Sequence, residues 1–99
     1  MRTLVFDQIT DSRFTDNPAE LIRDRKRDII GKLKALPGVY VEHDSPYKVE
    51  FPENIQFRCR FYVQKTGRKT TWNDVYKAVN LVHAVPYRFI DIAPQEVAS

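Results

Sequence analysis

One cysteine, three glycines, two histidines and no long apolar run are all that these 99 residues offer in those categories, and each scarcity removes a class of protein. Cys59 alone cannot close an intramolecular disulfide, the device on which small secreted domains depend, so a reducing, cytoplasmic compartment is expected. The opening segment MRTLVFDQITD is interrupted by Asp7 after a few apolar residues. It reads as neither a signal peptide nor a membrane span, and no later stretch is long enough, so no membrane partner is expected. Gly31, Gly38 and Gly67 stand alone, which excludes the glycine-rich loops that cradle phosphates. His43 and His83 have no second His or Cys at ligand spacing, so no metal site is expected, and neither a cofactor nor a small-molecule substrate is evident.

What is present suffices for one core. Hydrophobic residues make up 42% and aromatics 12% of the chain, well above the level at which chains stay disordered. The length leaves no room for a second core, so residues 1–99 read as a single α+β domain, with 93–99 as a flexible tail. Sixteen Lys plus Arg against thirteen Asp plus Glu give a formal charge of +3. The basic residues gather in 23–27, at Arg58 and Arg60, and in 65–69, which is compatible with nucleic acid without requiring it.

Residues 2–9 run apolar and β-branched and predict a first strand, followed by a polar loop over 10–16. Asn17-Pro18-Ala19-Glu20 predicts a helix start: an N-cap, a proline at the first helical position and a carboxylate three residues after the cap. The helix is expected to run about five turns and to stop at Pro37-Gly38. Its middle, Arg23 to Asp28, is six consecutive charges and reads as a solvated face laced with ion pairs. Short strands are predicted at 39–43 and, as an extra edge strand, at 47–51 around the Asp44-Ser45-Pro46 turn. Ile55 to Gln64 is the clearest strand, with Phe57, Cys59, Phe61 and Val63 alternating with Gln56, Arg58, Arg60 and Tyr62. A second helix is expected from Thr71 to about Val85, closed by Pro86, and a last strand at 87–92. This order predicts a ferredoxin-like βαββαβ two-layer sandwich, an antiparallel sheet with two helices on one face.

The rhythm of Ile55 to Gln64 sends Phe57, Cys59 and Phe61 to the core and leaves Arg58, Arg60 and Tyr62 on a wet face, where Tyr40, Tyr87 or Phe89 could join them. Such aromatic and arginine side chains suit a protein interface or a base-stacking platform. Arg60 is expected to be replaceable at little cost to stability. Lys65, Arg68 and Lys69 precede the second helix, whose N-terminus already carries positive dipole charge, so an anion there would explain them better than local stability does. The six residues Arg58, Arg60, Tyr62, Lys65, Arg68 and Lys69 are therefore the candidate binding set.

Three resemblances bear on function. Asp7 sits where metal-dependent nucleases of ferredoxin-like shape, of the CRISPR adaptation type, place a carboxylate, but no second motif follows. Arg-Cys-Arg-Phe-Tyr-Val resembles the aromatic strand motif of RNA-recognition domains without its glycine. The Leu36-Pro37-Gly38-Val39 junction, the paired strands and the Asp74-bearing helix resemble small phage virion proteins of the neck and tail-terminator kind, which implies an assembly role. No set of acid, base and nucleophile converges, so an enzyme is not expected. The sequence favours a protein-binding or assembly module, self-associating or an accessory or virion protein of a virus or mobile element in its host's cytoplasm. A single-stranded nucleic-acid binder is the alternative.

Overall fold

The computed structural model describes residues 2–79 and, by its backbone alone, the strand 84–91. The element order is β1 (Arg2–Asp11), α1 (Pro18–Lys34), β2 (Val39–His43), β3 (Tyr47–Glu50), β4 (Ile55–Lys65), α2 (Trp72–Val79) and β5 (Ala84–Asp91). They form an α+β domain whose sheet runs β2-β4-β1-β5, with β3 also paired to β4. Every pairing is antiparallel. β4 is long enough to hold β1 along one edge, while its other edge takes β2 at Phe61 to Lys65 and β3 at Ile55 to Arg58.

Both helices cover one face. The α1 residues Ile22, Ile29 and Leu33 and the α2 residues Val75 and Val79 are buried with Leu4 and Phe6 of β1 and Cys59, Phe61 and Val63 of β4. These strand residues meet across the ladder, Leu4 opposite Val63 and Phe6 opposite Phe61. Phe6 and Phe61 stack with ring centroids 5.2 Å apart, an arrangement that adds to what area burial alone gives. The alternation read in β4 thus has its apolar set under the helices, and Cys59 is core, its thiol pushed up to about 11 by burial.

The capping signals act as read, with local variations. Asn17 accepts from the Glu20 N–H at 3.2 Å and its side-chain amide donates back to the Glu20 carboxylate at 2.8 Å. Thr71 and Asp74 form a reciprocal capping box at α2, at 3.2 and 2.9 Å. In the charged middle of α1 the ion pair formed is Asp28 with Lys32, one turn on, and it is exposed.

Several boundaries differ from the sequence reading, for tertiary reasons. β1 extends through Thr10 and Asp11, placed in a polar loop by propensity, because the ladder with β4 continues to Asp11 opposite Gln56. The Thr10 hydroxyl donates to the Pro18 carbonyl at 2.7 Å, so a polar residue is satisfied while buried. α2 is described over Trp72–Val79, and residues 84 and 85, expected to finish that helix, belong to β5, so Pro86 lies inside a strand instead of closing a helix. A proline is tolerated there because β5 is an edge strand and its pairing with β1 shifts register between Phe6 and Gln8. The segment around 47–51 is a strand, Tyr47–Glu50. His83, the side chains of Tyr87 and Phe89 and the tail 93–99 lie outside the described residues.

Gly38 joins α1 to β2 with φ of +73°, and its carbonyl accepts the Thr66 N–H at 2.8 Å. A Cβ there would stand 2.6 Å from the Thr66 carbonyl oxygen. Gly38→Ala is therefore expected to lower the unfolding free energy by about 2 kcal/mol, from the left-handed backbone and the forced shift of Thr66. Equilibrium urea unfolding of the two proteins measures this, and an unchanged midpoint would refute it.

Candidate functional site

The face of the sheet opposite the helices is built by the other half of the β4 rhythm. Gln56, Arg58, Arg60, Tyr62 and Gln64 line its length. Register adds Tyr47 beside Arg58 and Val49 beside Gln56 from β3, Tyr40 beside Gln64 and Glu42 beside Tyr62 from β2, and Asp7 beside Arg60 and Asp11 beside Gln56 from β1. This face is polar but not uniformly wet: Thr3, Val5, Asp7 and Gln64 are all buried, and the Gln64 amide donates to the Thr3 hydroxyl at 2.9 Å.

Arg60 makes the strongest contact on this face. Its Nε donates to Asp7 Oδ1 at 2.8 Å and its Nη2 to Oδ2 at 3.2 Å, a bidentate pair. The Asp7 side chain is only 3% exposed, against 35% for Arg60. The hydrogen bonds to Asp7 raise the arginine's pKa further above its already high value. Arg60 is thus the charge partner of a buried carboxylate, which corrects the expectation that it is dispensable for stability. Arg58 is engaged too, its Nε and Nη2 both donating to the Gln56 side-chain oxygen, at 3.1 and 2.7 Å. The Tyr62 hydroxyl donates to the Asp44 carboxylate at 3.2 Å, and burial, then Asp44, holds its pKa above the usual phenol range.

The candidate binding residues fall into two groups. Arg58, Arg60 and Tyr62 share the helix-free face. Lys65 has the parity of Phe61 and Val63 and lies toward the helices, with its ammonium 5.5 Å from the centroid of the Trp72 ring. Arg68 and Lys69 are exposed in the loop that follows. The α2 N-terminus holds its own carboxylate, Asp74, whose pKa is lowered by the Thr71 N–H, so the dipole is answered within the chain. No known family, curated protein or solved structure matches this chain.

Sequence reasoning missed two features. Tyr47 is 40% exposed and joins Tyr40, 60% exposed, in flanking the arginines, a neighbourhood that only register reveals. Asp11 anchors one end of the sheet: it accepts from the Arg13 N–H and Nε at 2.9 and 3.2 Å, and from Asn54 and Gln56 at 2.8 and 3.1 Å. These bonds, from Arg13 above all, hold the Asp11 carboxyl far below the usual carboxylate range. They tie the β1–α1 loop to the β3–β4 turn. Beside them lies a groove of about 610 Å³ lined by Ile9, Arg13, Phe14, Leu21 and Arg25, with Phe14 84% exposed at its rim.

A pKa lower in the folded than in the unfolded chain adds stability that is complete above the unfolded value and is lost as pH falls toward the folded one. Stability carried by Asp11 should therefore decline below about pH 4, the ordinary range of an aspartate. Asp11→Asn is expected to flatten the fall in melting temperature between about pH 4 and pH 2. Equal acid slopes in the two proteins would contradict this. Among the described residues, no group of three or more His, Cys, Asp or Glu is placed to hold a metal ion. No helix among them is long and apolar enough to cross a membrane.

Proposed function

We propose that this chain is a non-enzymatic protein-binding module that meets its partner with the helix-free face of a ferredoxin-like βαββαβ sandwich. The strand order supports that topology, with β2 and β3 serving as one strand interrupted at Asp44-Ser45-Pro46 beside the same edge of β4. The observation that carries the reading is the exposure of Tyr40 and Tyr47 on a face where Arg58, Arg60 and Tyr62 are held in fixed positions by their own hydrogen bonds. Tyrosine and arginine positioned in this way present large contact area with little entropy left to lose, the composition of protein interfaces.

The same observation ranks the nucleic-acid alternative second. A phosphate-binding face needs cations that are available, whereas Arg60 is neutralised by Asp7 and Glu42 and Asp44 add negative charge around Tyr62. Arg68 and Lys69 are exposed, but in the loop after β4 rather than beside the tyrosines.

Two measurements test the proposal. Panning a displayed random-peptide library on the protein should enrich peptides whose affinity drops at least about tenfold on Tyr47→Ala, the loss typical of an interface anchor. Enriched peptides indifferent to Tyr47 and Arg58 would overturn the proposed face. Titrating a labelled single-stranded oligonucleotide at several salt concentrations should show no saturable binding. Binding with a steep log-log salt slope that falls on Arg58→Ala would establish the alternative instead.

A further inference from the structure

The edge of the sheet that faces away from β4 is unevenly protected. Natural sheets guard exposed edges with proline, lysine, short strands or bulges, because an unguarded edge pairs with another chain. β3 carries such devices: Pro46 precedes it, and Lys48 and Glu50 form a 2.9 Å ion pair along it. The opposite edge, β5, has Pro86 and the register shift against β1. β2 is Val39-Tyr40-Val41-Glu42-His43, without proline, lysine or bulge, rich in strand-forming residues and with Tyr40, Glu42 and His43 exposed.

The hydrogen-bond pattern shows which backbone groups this edge offers. At its two ends Asp44 donates its N–H to the Arg60 carbonyl at 3.0 Å and Gly38 accepts from Thr66 at 2.8 Å, so both point at β4. Backbone groups alternate sides along a strand, so Tyr40 and Glu42 also point at β4, while Val39, Val41 and His43 point away. The Val39 N–H is taken by the Leu36 carbonyl at 3.4 Å. Among the described residues nothing bonds the N–H or C=O of Val41 and His43, or the C=O of Val39.

We infer that β2 is a self-pairing edge, which joins a second copy of this chain antiparallel about Val41 and continues the sheet across the two molecules. Val41 offers both its N–H and its C=O outward, so two copies can meet about it as an isologous contact requires. Only the His43 C=O is left without an N–H across from it, since the Val39 N–H is taken by Leu36. In this register the two Val41 residues exchange both of their backbone bonds, and each His43 N–H meets the Val39 carbonyl of the other copy. On the helix-free face Glu42 falls opposite Tyr40, and on the helix face Val39 falls opposite His43, so no like charges are set directly across from each other. This edge shares Tyr40 with the proposed binding face but not Tyr47 or Arg58, so variants at those two residues test the one reading without touching the other.

Sedimentation equilibrium over a wide concentration range should show a monomer–dimer equilibrium. Val41→Pro and His43→Pro remove outward N–H groups while sparing the ladder to β4, so the fold should be kept, as circular dichroism will show. Each is expected to weaken dimerisation at least about tenfold, since each deletes bonds on both sides of the symmetric pair. Tyr47→Ala and Arg58→Ala should leave the dimer unchanged. A second readout does not depend on proline: spin labels on Glu42→Cys, with buried Cys59 not competing, should broaden by dipolar coupling because the two backbones would lie about 8 Å apart. A wild-type monomer at every concentration, a dimer indifferent to His43→Pro, or labels that do not couple in the dimer would each overturn the inference.

Discussion

Phe61→Ala is expected to lower the unfolding free energy by about 3 to 5 kcal/mol, a larger loss than that expected for Gly38→Ala or Arg60→Ala. Phe61 is fully buried, stacks on Phe6 from the neighbouring strand, and sits in the cluster that α1 and α2 close over. Truncating it removes that stack and opens a cavity where two strands and two helices meet, so the surroundings can collapse only in part. For a domain at the low end of the usual range of about 5 to 15 kcal/mol, this is enough to leave a measurable share of the chain unfolded. Phe61→Leu, which keeps most of the volume, should cost less than about 1.5 kcal/mol and provides a variant measurable by urea unfolding. Should Phe61→Ala unfold within about 1 kcal/mol of the wild type, the assignment of the core face of β4 is inverted.

Arg60→Ala is expected to cost about 2 to 3 kcal/mol, which places it second. The reason lies in its partner: the Asp7 carboxylate is almost completely out of water and, among the described residues, has its hydrogen bonds only from Arg60. Removing the guanidinium leaves a buried charge without its counterion, a penalty larger than the bond itself is worth. The guanidinium is a third exposed, so water can reach toward the gap and the cost falls short of that for a fully sealed pair. The reverse change, Asp7→Ala, leaves an arginine that can turn to solvent, and about 1 kcal/mol is expected. The double variant should lie close to Asp7→Ala, since it strands no charge. Equal losses for the two single variants would show that burial of Asp7 is not what makes the pair matter.

Both predictions concern β4, and they bear on function in opposite ways. Phe61 holds the strand under the helices. Arg60 is fixed on the helix-free face by Asp7, and a fixed arginine between exposed tyrosines serves shape recognition better than it serves phosphate. The loop cations, Lys65 to Lys69, contribute to neither residue set: Lys65 lies against Trp72, and the α2 N-terminus is capped by Asp74.

The helix-facing parity of Lys65 was already present in the alternation of Phe57, Cys59, Phe61 and Val63, and grouping it with Arg58 and Arg60 overlooked that two-residue rhythm. The end of β1 and the start of β5 were not accessible in this way. Thr10 and Asp11 have loop-forming propensity, and only pairing with Phe57 and Gln56 makes them strand. Ala84 and Val85 continue the helical pattern locally, and only pairing with β1 makes them, with Pro86, part of β5.

By itself the sequence determined what depends on near neighbours: the Asn17 and Thr71 caps, the stop at Pro37-Gly38, the two faces of β4 and the burial of Cys59. Each follows from local backbone geometry or from side-chain periodicity, which act over a few residues. Tertiary structure alone decided that Arg60 is spent on Asp7, fifty-three residues away, that Tyr47 stands beside Arg58, and that β2 presents an unguarded edge. Those facts arise from strand register, and register is fixed by how distant segments share one core, a quantity that no local pattern encodes.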